Sequence, residues 1–276
     1  MKAYLVMMAV RLLEMRRLLK PTGSIYLHCD PTASHYLKLA MDCVFGQANF
    51  RNEIIWCYKS GGASKRWFAR KHDTILLYAK DGQRCAFNPL RVKSYGQSGG
   101  GHGGKVKYYK DENGTYSIVT ARDWWEIPML ATTHSERLGY PTQKPLAMLD
   151  RIIEASSSEG DVVLDPFCGC ATACVSAHAL GRLWTGIDIS PKAAELMVYR
   201  LRQDRKGQQV EWMTHAEHVI HRTDIPKRTD VGKLPPYKTH KHTLYGQQEG
   251  RCKGCGHHFP FQNFTVDHIL AKAMVS

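Results

Sequence analysis

The first 20 residues carry apolar side chains at the spacing of one helical face, with charged side chains between them. Five residues form that face: Leu5, Met8, Leu12, Met15 and Leu19. The stripe predicts an amphipathic helix, and the Pro-Thr-Gly sequence at 21–23 predicts its end. A short apolar strand is expected next at 24–29, followed by a second helix at 33–45.

Beyond this helix the pattern predicts strands at 53–58 and 74–78 and then weakens between residues 88 and 136. A glycine-rich run at 99–104 within that stretch is expected to be a loop. Helical spacing returns in three later segments, 146–156, 172–180 and 191–203. Because strands and helices alternate in the regular parts of the chain, the pattern predicts an α/β fold.

Two apolar strands in the second half of the chain each lead to an acidic residue. Val162-Val163-Leu164 runs into Asp165-Pro166 and a loop of small residues, and Leu183–Ile187 runs into Asp188. A small-residue loop allows a ligand to approach the backbone closely, and an acid at the end of the next strand accepts hydrogen bonds from ribose hydroxyls. The pair of strands therefore predicts a nucleoside pocket.

The charge of the chain favours a polyanionic partner. Its 38 Lys and Arg outnumber its 25 Asp and Glu, for a net charge of +13. Residues 51–120 alone hold 13 basic and 5 acidic side chains, and a merely solvated basic surface is the alternative interpretation. Charged residues such as Arg11 and Glu14 interrupt the apolar amino terminus, so neither a signal peptide nor a membrane span is expected.

The nine cysteines are scattered, which fits a reduced, cytoplasmic setting. Cys252 and Cys255 stand alone as a Cys-x-x-Cys pair. Cys168, Cys170 and Cys174 lie in a strand–loop–helix segment, so small buried residues are favoured there over a metal cluster.

Three segments, in this order, resemble the amino-group DNA methyltransferases, which methylate adenine N6 or cytosine N4. They are Gly-Tyr-Pro-Thr-Gln-Lys-Pro at 139–145, Asp-Pro-Phe-Cys-Gly-Cys-Ala-Thr at 165–172, and Gly-Ile-Asp at 186–188. Upstream, residues 18–30 resemble the helix–strand segment that follows the catalytic motif of the family. The resemblance is to the permuted subgroup, in which the catalytic half precedes the cofactor half. It implies a bacterial or phage-type restriction–modification or DNA-processing role.

The resemblance implies a pocket for S-adenosylmethionine at the second pair of strands. Seven residues would line it: Asp165, Phe167, Gly169, Thr172, Asp188, Lys144 and Pro145. Phe167 would pack beside the adenine or methionine part of the cofactor, and Asp188 would hold the ribose. Lys144 and Pro145 would lie near the methionine end.

The resemblance also implies that the basic stretch is a target-recognition region that contacts double-stranded DNA. The basic side chains expected to do so are Lys59, Lys65, Arg66, Arg70, Lys71, Lys105 and Lys107. The target base would leave the helical stack and be held in line with the methyl group. His28 and Asp30 are candidates for the substrate side, with a capped turn as the alternative. For the adjacent Trp124 and Trp125, core packing is favoured over base stacking.

The catalytic tetrapeptide of the family, Asp/Asn/Ser-Pro-Pro-aromatic, is not found at the permuted position. Pro235-Pro236-Tyr237 follows Leu234 rather than a polar residue, and it lies after the cofactor half. We therefore expect a chain truncated at its amino end, with direct pairing of the two flanking strands as the alternative. The target base also stays open, with adenine favoured over cytosine. Ala171 replaces the usual glycine, which costs roughly 1 kcal/mol if the position needs a positive φ.

The last 26 residues resemble the start of an HNH nuclease finger. Cys252 and Cys255 would bind zinc, Asp267 would contact a catalytic divalent metal, and His268 would activate water. A second Cys-x-x-Cys and a further Asn or His are missing, so we expect an incomplete site.

Taken together, the sequence predicts an α/β, Rossmann-like S-adenosylmethionine-dependent methyltransferase sheet that lacks one central strand, plus a small zinc-finger-like HNH fragment. The expected segments are a methyltransferase domain at 1–220 with a target-recognition insert at 59–136 and a cofactor half at 139–205, a linker at 221–250, and the HNH motif at 251–276. Three functions stay open: a DNA methyltransferase, a non-catalytic DNA- or cofactor-binding remnant, and an HNH nuclease with a methyltransferase-like targeting domain. No oligomeric state is indicated.

Overall fold

A computed structural model describes residues 1–58, 64–95 and 106–201. They all lie in the first of the two units of the chain, Met1–Ala216. The expected linker and HNH motif fall outside the described residues, as do the Pro-Pro-Tyr sequence at 235–237 and part of the basic stretch.

The α-helices of the described residues follow the predicted pattern closely. In chain order they are α1 (Lys2–Leu18), α2 (Ser34–Phe45), α3 (Leu146–Ser156), α4 (Thr172–Ala179) and α5 (Pro191–Leu201). Each one is confirmed within two residues of its expected ends. None of the described helices is long and apolar enough to cross a membrane.

The described strands form three separate sheets. The strands are β1 (Ser24–Cys29), β2 (Phe50–Cys57), β3 (His72–Ala79), β4 (Arg91–Tyr95), β5 (Tyr108–Asp111), β6 (Gly114–Thr120), β7 (Trp124–Glu126), β8 (Val162–Asp165) and β9 (Leu183–Gly186). The main sheet has the order β1-β3-β2-β7. In it β3 runs antiparallel to both β1 and β2, whereas β7 runs parallel to β2.

Helices cover the main sheet on both faces. On one face, Met8 and Leu12 of α1 pack with Leu37 and Met41 of α2 against Tyr78 of β3. This confirms the predicted apolar face of the first helix.

The opposite face of the main sheet packs on α3. Here Trp56 and Ile75 of the sheet form a second core with Trp125 of β7 and Met148 of α3. Since an apolar layer lies on each side of it, the central strand β3 is buried from Thr74 to Ala79.

The second sheet is the parallel pair β8-β9, with α4 packed against both strands. In the described residues β8 pairs only with β9, and β1 pairs only with β3, so the two sheets are not hydrogen-bonded to each other. Direct pairing of β1 with β8 is therefore not observed. Helix α3 connects the two parts: it packs against α4, and its Ser156 Oγ makes a hydrogen bond of 2.6 Å with Tyr26 Oη of β1.

A third, antiparallel sheet with the order β4-β6-β5 lies where the periodicity of the sequence fades. The sequence indicated no strands in this stretch, and the structure corrects that. Its outward face carries Lys93, Tyr95 and Tyr109, all exposed. A small sheet with so few apolar residues shows little alternation of apolar and polar positions, and that alternation is the signal from which strands are predicted.

Candidate active site

A tight loop joins β8 to α4 at the carboxyl end of the parallel pair. Its backbone turns at Gly169, which has φ +49°. A Cβ atom at this position would lie 2.9 Å from Cε1 of Tyr140, so only glycine allows the Tyr140 ring to come so close. Ala171 also has a left-handed backbone, with φ 60° and ψ 33°. Position 171 therefore has the positive φ at which alanine is less favourable than glycine.

Asp188 connects this loop to the end of β9. One carboxylate oxygen accepts the N–H of Gly169 at 3.0 Å, and the other accepts the N–H of Ser190 at 2.8 Å. The side chain is exposed. Each carboxylate oxygen can accept more than one hydrogen bond, so Asp188 retains acceptor capacity for a pair of ligand hydroxyls.

Asp165 lies beneath the same loop. Its Oδ1 accepts the N–H of Phe167 at 3.1 Å. Burial raises the pKa of the Asp165 carboxyl, and the negative charge of Asp188 raises it further, although the hydrogen bond from Phe167 opposes the change. The carboxyl ends of β8 and β9 thus carry a half-buried acid, Asp165, and an exposed one, Asp188.

The other predicted cofactor residues differ in their surroundings. Phe167 is 48% exposed, with the guanidinium of Arg11 6.0 Å from its ring centre. Thr172 is buried, and its hydroxyl accepts a hydrogen bond of 2.8 Å from Arg200. The nearest polar partner of Thr172 is therefore an internal one, so its contact with a cofactor stays a prediction.

Lys144 lies between the two halves of the site. Burial lowers the pKa of its ammonium, and the charges of Asp73 and Cys170 counteract this. Asp73 belongs to β3 of the main sheet and Cys170 to the loop after β8, and the Lys144 ammonium lies 5.9 Å from the ring centre of Trp56. Pro145 follows as the buried residue that precedes α3.

A cavity of about 410 Å³ opens at the carboxyl end of β1. Its lining residues are Met1, Tyr4, His28, Cys29, Asp30, Thr32 and Ala33. Both substrate-side candidates, His28 and Asp30, thus line one cavity. Burial, with the nearby charge of Asp30, raises the pKa of the Cys29 thiol to about 12, so this thiol is protonated at neutral pH.

His28 is held by a network that the sequence did not reveal. Its Nε2 lies 2.9 Å from Oδ2 of Asp73, and the hydroxyl of Tyr58 donates to Oδ1 of Asp73 at 3.1 Å. Burial opposes the ionisation of Asp73, but the hydrogen bonds and charge of His28, with Tyr58 and Lys144, outweigh it and lower the pKa of Asp73. The only signal in the sequence was that Tyr58 ends one predicted strand and Asp73 directly precedes the next.

Most of the basic side chains that are predicted to contact DNA are exposed where the structure describes them. Lys65, Arg66, Arg70 and Lys107 are exposed and Lys71 is half-buried, whereas Lys59 and Lys105 lie outside the described residues. Of the two tryptophans, Trp125 is buried in the core, as expected. Trp124 is exposed instead, with the guanidinium of Arg122 5.5 Å from its ring centre.

Within the described ranges, no group of three or more His, Cys, Asp or Glu residues could hold a metal ion. Cys168, Cys170 and Cys174 are buried, in agreement with the packing interpretation. The predicted metal ligands Cys252, Cys255, Asp267 and His268 lie outside the described residues.

A protein-family model described as DNA methylase matches residues 1–199. The chain belongs to this DNA methylase family. Among curated relatives, it is 32% identical over 194 residues to the Type II methyltransferase M.HpaI of Haemophilus parainfluenzae. It is 31% identical over 190 residues to the DNA adenine methyltransferase YhdJ of Escherichia coli strain K12. These alignments cover 70% and 68% of this chain but only 58% and 63% of the relatives, so the chain spans less than two thirds of their length.

A solved structure similar to this chain is the cytosine-N4-specific PvuII DNA methyltransferase. The TM-score is 0.56 at 14% identity, and the match covers 73% of this chain and 72% of that one. At this level of identity the likeness supports a shared α/β methyltransferase fold.

Proposed function

We propose that the chain acts in site-specific DNA methylation, in which a methyl group passes from S-adenosylmethionine to an exocyclic amino group of adenine or cytosine. The observation that carries the proposal is the pairing of Asp188 with Gly169 at the carboxyl ends of β8 and β9. This hydrogen bond connects an acid of the kind that binds ribose hydroxyls to a loop whose backbone a ligand can approach closely. Both lie at the carboxyl edge of the strands, where α/β sheets bind nucleotides.

The residues present fit this cofactor. Exposed Asp188 is suited to accept the ribose hydroxyls, and the half-exposed ring of Phe167 offers an apolar surface to the adenine. The cofactor would supply a methyl group on a positively charged sulfur. The chain's own contribution would be to orient that group towards the cavity beside His28, where the amino group of an extruded base would lie.

We further propose that a strand outside the described residues lies between β1 and β8 and carries the catalytic tetrapeptide. Support comes from the two strand edges, because unpaired backbone groups at buried sheet edges are costly. The greater length of the relatives is consistent with such a strand. The order of the segments would then be that of the permuted subgroup, with the described residues forming a truncated version of it.

Several finer assignments belong to the same proposal. Adenine is the favoured target, in line with the name of the relative YhdJ. The insert at 59–136 would contact double-stranded DNA, and a restriction–modification system in the cytoplasm would be the setting. Residues 251–276 would be a partial HNH motif with zinc at Cys252 and Cys255, and a nuclease function rests on that segment alone.

Isothermal titration with S-adenosylmethionine tests the cofactor part of the proposal. Asp188→Ala removes two charged acceptors, each worth about 1.5–3 kcal/mol, so we expect affinity to fall at least on the order of 100-fold. Glu195→Ala is the control, because this exposed acid on α5 is paired with Lys192 of the same helix. Equal affinities in the wild type and Asp188→Ala would refute the assigned pocket.

Transfer of labelled methyl groups to unmethylated DNA tests the reaction itself. Label in DNA would exclude the non-catalytic remnant. Cofactor binding without transfer would favour the remnant, or a catalytic strand that must be added. Failure of both binding and transfer would overturn the proposed function.

A further inference from the structure

Two large aromatic side chains lie in water at the connection between β2 and β3. Trp67 is 67% exposed and Phe68 is 99% exposed. An aromatic side chain buries about 150–250 Å² when it packs, so this pair leaves a large apolar surface unused. Ser64 shapes the turn that carries them, since its Oγ accepts the N–H groups of Arg66 and Trp67, each at 3.3 Å.

The connection begins and ends beside the cavity at His28. Tyr58 donates its backbone N–H to the carbonyl of Lys71 at 3.0 Å, which closes the base of the connection. The Tyr58 and Asp73 side chains then meet, and Asp73 in turn contacts His28 of the cavity lining. Only four residues separate Phe68 from Asp73.

The charge around the two rings suits a polyanion. Lys65, Arg66 and Arg70 flank them and are exposed, and no acidic residue occurs between Lys59 and His72. The next acid along the chain, Asp73, is already engaged by His28. A basic surface of this kind holds nucleic acid by its phosphates, while an exposed ring can enter between bases.

We propose that Trp67 and Phe68 form a wedge that enters the stacked bases of duplex DNA and fills the space left by the extruded target base. Lys65, Arg66 and Arg70 hold the flanking phosphates during this insertion. The inference rests on the proposed function and deepens it, because it assigns base extrusion to a particular element. Extrusion costs stacking energy, and the wedge recovers part of that cost through its own stacking on the bases that remain.

Fluorescence anisotropy with the full chain and two labelled duplexes tests the wedge. One duplex is fully paired, and the other has a single abasic site, where the space for a ring already exists. We expect the wild type to bind the abasic duplex about 10-fold more tightly, within the range known for aromatic–base stacking. Phe68→Ala, and the double variant Trp67→Ala/Phe68→Ala, should bind both duplexes about equally.

Two controls separate the wedge from other effects. Phe87→Ala removes another exposed phenylalanine, 57% exposed and on a different loop, and should keep the preference. Lys65→Gln/Arg66→Gln should weaken binding to both duplexes and lower the slope of log affinity against log salt by about 2, with the preference intact. Equal unfolding midpoints would show that each variant is folded.

The outcomes distinguish the wedge from the function on which it rests. If the wild type binds DNA without preferring the abasic duplex, or if Phe68→Ala keeps the preference, the wedge is wrong and DNA methylation still stands. If the wild type binds neither duplex at low salt, the wedge and the DNA part of the proposed function both fail. Titration with S-adenosylmethionine then reports on the cofactor pocket separately.

Discussion

Replacing Gly169 with alanine should destabilise the protein more than the same change at Gly160. Both glycines have a positive φ, +49° and +80°, so alanine meets the left-handed penalty of about 1–2 kcal/mol at either site. Both substitutions also restrict the unfolded chain, which returns about 0.4–1 kcal/mol. These two contributions cancel when the variants are compared with each other.

The difference between the two sites is the space for the new methyl group. At Gly160 no atom lies within 4 Å of the added Cβ, whereas at Gly169 the Cβ would lie 2.9 Å from Cε1 and 3.4 Å from Cζ of Tyr140. The ring or the loop must therefore move, and overpacking of this kind costs about 1–3 kcal/mol. We expect Gly169→Ala to be less stable than Gly160→Ala by that amount.

Urea unfolding of the two variants measures the difference directly. Adding Tyr140→Ala removes the atoms that the new methyl group meets, so Gly169→Ala should cost about 1–3 kcal/mol less in that background. Equal stability of Gly169→Ala and Gly160→Ala would refute the reasoning. An unchanged cost of Gly169→Ala in the Tyr140→Ala background would also contradict it, because the Tyr140 contact would then not be the cause.

Three further predictions concern polar groups that are partly or fully buried. Burial raises the pKa of Asp165, so its contribution to folding is favourable below its ordinary pKa and is lost as pH rises through the raised value. Asp165→Asn should therefore gain stability relative to the wild type between pH 4 and pH 7. A difference in unfolding free energy that stays constant over this range would contradict the prediction. Arg200→Met leaves two buried acceptors, Cys170 O and Thr172 Oγ1, without their donor. The variant should therefore have a free energy of unfolding lower by about 1–3 kcal/mol. An unchanged thermal midpoint would show that the cost of burying the guanidinium cancels both bonds. The Ser117 hydroxyl is buried without a hydrogen-bond partner in the described part of the chain, so Ser117→Ala should raise the urea midpoint, and a lower midpoint would mean that the hydroxyl has a partner.

Repeating apolar spacing was enough to predict the helices. The face with Met8 and Leu12 was visible because a helix that packs on a sheet repeats its buried side chains every three or four residues. The strands β1, β2, β3, β8 and β9 were also found, since they are short apolar runs. The sheet of β4, β5 and β6 was missed because its tyrosines and lysines are exposed and leave no apolar period.

The candidate site was only partly predictable. Asp165, Gly169 and Asp188 lie in two adjacent segments at the ends of neighbouring strands, so the order of the chain was enough to expect them together. Asp73 and Tyr58 were missed because the contact of Asp73 with His28, and that of Tyr58 with Asp73, depend on the register of β1 and β2 on β3. A shift of one residue would turn each of these side chains to the opposite face.

The sequence by itself determined the α/β pattern, the small-residue loop with the acid after the next strand, and the resemblance to the amino-group DNA methyltransferases, which the family match confirmed. These features are local, because each depends on residues within one strand–loop–helix segment. Only the tertiary structure decided that Ala171 has a positive φ and that His28 is held by Asp73. It also decided that β1 and β8 each keep one edge unpaired among the described residues, and that Phe68 is almost fully exposed. The physical reason is that backbone strain, strand register and exposure depend on segments far apart in the chain, which meet only when the sheets and helices pack.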